Sequence, residues 1–391
     1  MDITITPSLL SGSITPPQSK SQAHRLLIAA YLSGAKDCIC NLAQSQDIAA
    51  TTVCMETILA AEHGELPLLD CGESGSTLRF LIPVALALRG GGIFTGRGRL
   101  MERPQEPYFE IFREKGISYE QKDGKLTVKG ELTPGTYTLP GNVSSQFITG
   151  LLYALPLLKG DSTIQLTTPL ESAGYVDMTL GALEQFGVKV NCDNTTAFTV
   201  PGNQSYTPCP CAVEPDWSQA GFWYAARGIG NAVETVGMNP RSAQGDRVLE
   251  QWAALLRGSG EVVLDVSGSP DLVPPIAAWA ALREGQVTRL VNAARLRIKE
   301  SDRLATVTGE LTRLGANVEE GHDSLTITGV PALTGGRVDS HNDHRIAMML
   351  AIAATRCKES VTIADAGAVK KSYPGFWDDY AALGGKFEVT E

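Results

Sequence analysis

Apolar residues along this chain alternate between two spacings. Leu304, Val307, Leu311 and Leu314 recur every three or four positions, as on one face of a helix. Met1–Thr6 instead alternates apolar and polar residues, as a half-buried strand does. The helical spacing predicts helices from Lys20 to about Leu32, over Tyr108–Lys115, from Phe147 and over Val176–Phe186. Further helices are expected from about Ser218, over Leu272–Leu282 and Leu304–Leu314, over Ile346–Ala354, and after Pro374. Several end on the same signature: a glycine, a short strand, a turn and a second strand. Gly116 leads to Leu126-Thr127-Val128, Gly187 to Phe198-Thr199-Val200 and Gly315 to Leu325-Thr326-Ile327, and Gly384 closes the chain. Gly116 and Gly187, like Gly315 and Gly384, stand about 70 residues apart, so the chain is an internal repeat of stacked α/β units. The copy at Arg257-Gly258 is partial, and the one near Gly64 is degraded.

The helix starts carry the chemistry. Lys299-Glu300-Ser301-Asp302-Arg303 opens the helix of Leu304, with Ser301 expected as its N-cap. Cations are ordinarily favoured at helix C-termini, so Lys299 and Arg303 at an N-terminus call for an anion to offset them. Similar starts recur. They are Lys20-Ser21…Arg25, Gly72…Arg79, Ser144-Ser145-Gln146, Ser172, Asp216-Trp217-Ser218, Ser269-Pro270-Asp271, Asn342-Asp343-His344-Arg345 and Lys370-Lys371-Ser372. A single serine or aspartate there is an ordinary cap; eight, most with a cation or hydroxyl pair, point to binding of small anions.

Length and charge narrow the classes. With 391 residues, two domains of roughly 200 residues are expected. Pro16-Pro17 and Glu214-Pro215 are the breaks, giving one domain of 18–214 and a discontinuous one of 1–17 with 215–391. The first strand then returns to the second domain and makes a two-stranded hinge. A net charge of −10 argues against general nucleic-acid affinity. The longest apolar runs, such as 80–88, are too short to span a bilayer, and the N-terminus lacks a basic-then-apolar leader, so a cytoplasmic location is the default. The eight cysteines include the C-x-C pairs Cys38/Cys40 and Cys209/Cys211, not the C-x-x-C of zinc ribbons, and are expected as reduced thiols. His341 and His344 lack a third histidine nearby, so no metal is expected. The P-loop spacing is absent, and Gly96-Arg97-Gly98 lacks the third glycine of a dinucleotide fingerprint.

These motifs, in this order and over about residues 8–380, resemble the 5-enolpyruvylshikimate-3-phosphate (EPSP) synthase family. The K-E-[ST]-D-R segment at Lys299–Arg303 and the N-D-H-R segment at Asn342–Arg345 carry most of the specificity, with Glu102-Arg103-Pro104 and Lys371 beside them. The resemblance implies two similar domains, each of three βαβαββ units, with the active site in the cleft between them. It implies transfer of the enolpyruvyl group of phosphoenolpyruvate to the 5-hydroxyl of shikimate 3-phosphate, with no cofactor or metal, by a monomer that binds neither nucleic acid nor membrane. Position by position, it implies that Ser21 and Arg25 hold the shikimate carboxylate, and that Ser144, Ser145, Ser172 and Lys299 take the 3-phosphate. Gln146 would touch both substrates, as would Lys20. Arg103, Arg303, Arg345 and Lys371 would surround phosphoenolpyruvate, and Gly75 would line that side. Asp271 would accept the proton of the 5-hydroxyl and Glu300 would protonate the methylene carbon, with Lys20 able to share that work. The domains would close on shikimate 3-phosphate.

Two positions depart from the family pattern: Glu73 replaces the usual asparagine, and Arg295 stands where some members have asparagine. Glyphosate occupies the phosphoenolpyruvate side in this family, so both changes bear on the response to it. Three other readings compete. The sister transferase acting on UDP-N-acetylglucosamine carries a catalytic cysteine in the loop before its Arg-Pro, whereas Gly96–Glu102 has none. A non-catalytic binder of sugar phosphates would need the cations but not Asp271 with Glu300. An RNA-end-processing relative of the fold sits badly with so acidic a chain.

Overall fold

The computed structural model describes residues 1–42, 44–193 and 196–390. The chain divides into two compact units, 1–19 with 214–391, and 20–213.

In the unit 20–213, two four-stranded sheets share one topology. Leu68–Asp70, Gly91–Thr95, Lys125–Lys129 and Ser118–Lys122 lie in that spatial order, the first pair parallel and the others antiparallel. Gly135–Leu139, Ser162–Leu166, Ala197–Val200 and Asn191–Asp193 repeat the arrangement. Each sheet is therefore a βαβαββ repeat, and a left-handed glycine ends its second helix or the turn after it, Gly116 at φ 69° and Gly187 at φ 79°. The crossover helices Gly75–Arg89 and Ser145–Ala154 are apolar nearly all round and are buried accordingly. Their polar N-termini are then the parts left to face a ligand. A third repeat is reduced to the helices Lys20–Leu32 and Gln46–Ala60 and an isolated parallel bridge between Ile39 and Cys211.

The other unit uses the same plan. Val262–Asp265, Val287–Val291, Leu325–Thr328 and Asn317–Glu320 form one sheet. In the second, Gly336–Asp339 and Val361–Ala364 are followed not by a strand of their own repeat but by the N-terminal Asp2–Thr6, with Lys386–Thr390 at the edge. The alternation of the first residues explains this: Ile3 and Ile5 are fully buried in the core. The third repeat here is the parallel pair Ser11–Ile14 and Ala232–Thr235, with the helices Trp217–Gly228 and Leu249–Arg257. Where the chain passes between the units, Ser19 N–H donates to Glu214 O at 2.7 Å and Asp216 N–H to Pro17 O at 2.8 Å, so the two crossings run side by side. The helices Val273–Ala280 and His344–Ala354 are enclosed on every side; the polar groups stand in the turn before the first, at Asp271, and at the start of the second, at His344 and Arg345.

Candidate active site

In the unit 1–19 with 214–391, five of the expected site residues meet. Asp271 lies in the 3-10 turn Pro270–Leu272 that opens the helix Val273–Ala280. Its carboxylate accepts from Arg303 at 2.9 Å and from Arg345 at 2.9 Å, and lies 3.4 Å from the Lys299 ammonium. Arg303 is 1% exposed at its side chain and also donates to Glu300 at 2.7 Å and to Asp343 at 2.8 Å. Asp343 is itself completely enclosed. Arg345 donates to Ser218 Oγ at 2.9 Å and to the Asp271 carbonyl at 3.2 Å. His341 and Asn342 both take left-handed backbone, at φ 52° and 53°, turning the chain just before Asp343 caps the helix His344–Ala354. The Asn342 carbonyl exposed by that turn accepts from Lys371 Nζ at 2.5 Å.

The electrostatics follow from this packing. Burial opposes the charge on Arg303, but Asp343, Glu300 and Asp271 outweigh it and hold the guanidinium above its ordinary pKa. Lys299 goes the other way: burial, reinforced by Arg303 and Arg295 against the pull of Asp271 and Glu300, brings it down to about 8.

One expectation is corrected here. Ser301 is not the N-cap; Asp302 is, accepting from Ala305 N–H at 3.2 Å. Ser301 instead donates its hydroxyl to Asp343 Oδ2 at 3.0 Å and is buried. The reason is competition for a good acceptor, because the buried Asp343 carboxylate needs donors and the adjacent Asp302 caps equally well.

In the unit 20–213 the expected residues fall on neighbouring helix starts. Lys20 begins the helix Lys20–Leu32 and pairs with Asp47 at 2.8 Å. Arg25 is buried one turn on, donating to Ser21 O at 2.6 Å, Tyr175 O at 3.1 Å and Thr179 Oγ1 at 2.8 Å. Burial brings its pKa down to about 10. Ser144 caps the helix Ser145–Ala154, and Ser172, at φ 56°, immediately precedes the helix Ala173–Gln185. Gln146 is gripped from two sides, its carbonyl oxygen accepting from Arg79 at 2.9 Å and its amide donating to Ser76 Oγ at 3.1 Å.

Gly75 has a steric reason to be glycine. A Cβ there would stand 2.3 Å from Arg103 Nη1 and 2.9 Å from Cζ, so the guanidinium lies flat on the helix start. Arg103 has no ion-pair partner among the described residues, and its Nε is buried without a hydrogen bond. A guanidinium held against a helix N-terminus is a receptor for a carboxylate or phosphate. Glu73, the departure noted above, places its carboxylate where a Cβ on Gly98 would be 2.7 Å from Oε2.

Sequence reasoning passed over three residues. Asp343 lay inside a recognised motif but received no role. Asp47 is joined to Lys20 only by folding. Arg79 had a usable signal, a lone arginine running into the apolar stretch Phe80-Leu81-Ile82, where burial demands partners; it finds Gln146, the Pro104 carbonyl at 2.9 Å and the Phe147 ring at 4.6 Å.

Repeated α/β units with buried cations at helix starts, and carboxylates set among them, define a protein that binds multiply charged acids and can move protons on them. The comparisons with known proteins agree. The model of the family described as EPSP synthase (3-phosphoshikimate 1-carboxyvinyltransferase) matches residues 5–380, and the chain belongs to that family. The 3-phosphoshikimate 1-carboxyvinyltransferase of Clostridium perfringens strain ATCC 13124 is 45% identical, with 98% of each chain covered. That of Clostridium kluyveri is 44% identical over 99% of this chain and 98% of its own. A solved EPSP synthase from Acinetobacter baumannii superposes with a TM-score of 0.77 over the whole of both chains at 23% identity, a likeness of fold.

Proposed function

We propose that this chain transfers the enolpyruvyl group of phosphoenolpyruvate to the 5-hydroxyl of shikimate 3-phosphate, releasing phosphate, in the pathway to chorismate and the aromatic amino acids. The observation that carries the reading is Asp271, a carboxylate held at a helix start by Lys299, Arg303 and Arg345. Asp271 takes the proton of the 5-hydroxyl as its oxygen bonds to C2 of phosphoenolpyruvate. Glu300, carrying a proton that its pairing with Arg303 opposes, and Lys20, sharing the work, supply the proton that turns the methylene into a methyl group. The tetrahedral adduct then returns a methyl proton and breaks its C2–O bond to phosphate. Proton transfer by a positioned group accounts for roughly 10²–10⁴ in rate.

The remaining residues divide by chemistry. Lys20, Ser21, Arg25, Ser144, Ser145, Gln146, Ser172 and Lys299 are assigned to shikimate 3-phosphate. Lys20, Gly75, Arg103, Gln146, Arg303, Arg345 and Lys371 are assigned to phosphoenolpyruvate. The enzyme is read as a cytoplasmic monomer; light scattering after size exclusion checks the second point.

Phosphate release with both substrates tests the assignment. Asp271→Asn should lower kcat by about 10²–10⁴. It should leave shikimate 3-phosphate binding intact or tighter, since an internal counter-ion to Lys299 and Arg345 is gone. Binding of both substrates by the unaltered protein without turnover would establish a binder instead, and undiminished turnover in Asp271→Asn would remove the base assigned here.

A further inference from the structure

The C-x-C pairs Cys38/Cys40 and Cys209/Cys211 play no part in the reaction and lie far apart in the chain, yet folding brings them together. Cys211 N–H donates to Cys38 O at 2.9 Å, and Cys211 O accepts from Cys40 N–H at 3.0 Å, across the parallel bridge centred on Ile39. A direct backbone hydrogen bond of that length sets the Cα atoms of residues 38 and 211 roughly 5–6 Å apart, within the span of a disulfide. Cys38, Cys209 and Cys40 all lie close enough to Cys211 for their thiols to disfavour its thiolate. All four are reduced; Cys38, Cys209 and Cys211 are half-buried and Cys40 is exposed. Among the described residues no three such ligands meet in a metal-binding geometry, which favours a pairwise bond over a thiolate metal centre.

We propose that Cys38 and Cys211 form a reversible dithiol–disulfide pair, oxidised by low-molecular-weight disulfides. The Cys38 thiolate attacks one sulfur of the small disulfide, releasing a small thiolate and leaving a mixed disulfide on Cys38. Cys211 then loses its proton and attacks the Cys38 sulfur, expelling the second small thiol. Two electrons and two protons pass to the oxidant, which leaves as two thiols. Burial, aided by its cysteine neighbours, pushes the Cys211 thiol up to about 12, so the second step is the slow one. The bond ties the turn after the helix Lys20–Leu32 to the segment by which the chain leaves its unit. Its partial exposure marks it as the labile kind, open to reduction.

Incubating the whole protein with oxidised glutathione, then alkylating and digesting with trypsin, tests this. The expected product links peptides 37–79 and 190–227, with fragmentation placing the bond at Cys38 and Cys211. Two of the eight thiols are lost to titration and dithiothreitol restores both. The link should vanish in Cys38→Ser and in Cys211→Ser and persist in Cys192→Ser. Mixed disulfides alone, a link that survives in Cys38→Ser, or purified protein carrying one equivalent of zinc on protected thiols would each overturn the proposal. The unaltered protein decides the first and third outcomes, so a variant that fails to fold leaves the test standing.

Discussion

Replacing Gly75 by alanine should separate binding of phosphoenolpyruvate from stability. The new Cβ would stand 2.3 Å from Arg103 Nη1 and 2.9 Å from Cζ. Ordinary contact begins near 3.4 Å, so the guanidinium must retreat by about 1 Å. The obstruction is the end of a flexible side chain, and Gly75 is the first residue of a helix, where alanine is the better former by up to about 1 kcal/mol. The fold therefore loses nothing. Recognition does lose: a charge-assisted hydrogen bond from Arg103 stretched by that distance forfeits most of its roughly 1.5–3 kcal/mol. The KM for phosphoenolpyruvate should rise about 10- to 100-fold, with the KM for shikimate 3-phosphate changed less than about twofold. Steady-state phosphate release with each substrate varied in turn gives both values, and thermal unfolding gives the stability. An unchanged KM for phosphoenolpyruvate in a folded variant would show that Arg103 does not hold that substrate.

Three further outcomes follow from the buried and partly buried charges. Asp343→Asn keeps a capping side chain but leaves Arg303, 1% exposed, short of its enclosed partner, so urea unfolding should show a loss of about 3–5 kcal/mol; a loss under about 1 kcal/mol would refute the pairing. Lys299, depressed to about 8 from its ordinary 10.5, should lose its charge as pH rises through 8, so affinity for shikimate 3-phosphate should fall above that pH. Between about 8 and 10.5 the unfolded chain holds the extra proton, so this residue's contribution to folding stability should grow with pH over that window. A KM for shikimate 3-phosphate that stays flat from pH 7 to 9 would place the phosphate elsewhere.

What could be read from sequence was local, and what could not was long-range. Caps, cations at helix starts and the C-cap glycines of a 70-residue repeat are near-neighbour patterns, and spacing alone exposes them. The choice between Ser301 and Asp302 as cap was set by Asp343, 42 residues on from Ser301, whose carboxylate captures the serine hydroxyl. Lys20 with Asp47, Arg79 with Gln146 and Cys38 with Cys211 are likewise made only by packing. Spacing reveals which side chains share a helix face, but not which helix start lies opposite another.

The carboxylates that neutralise these cations are of two kinds. Asp343 is fully enclosed, binds Arg303 and caps a helix at once, so no ligand can displace it without exposing a buried guanidinium. Asp271 is 16% exposed and divides itself among Lys299, Arg303 and Arg345. A phosphate arriving at Lys299 or Arg345 exchanges one anion for another and gains only the difference in Coulomb energy. At Arg103, which has no carboxylate partner among the described residues, an anion gains the whole of it. A carboxylate relieved of two cations by an incoming anion is a stronger base than one still paired with them, so on the role proposed for Asp271 the arrival of substrate would itself raise the proton affinity of the base.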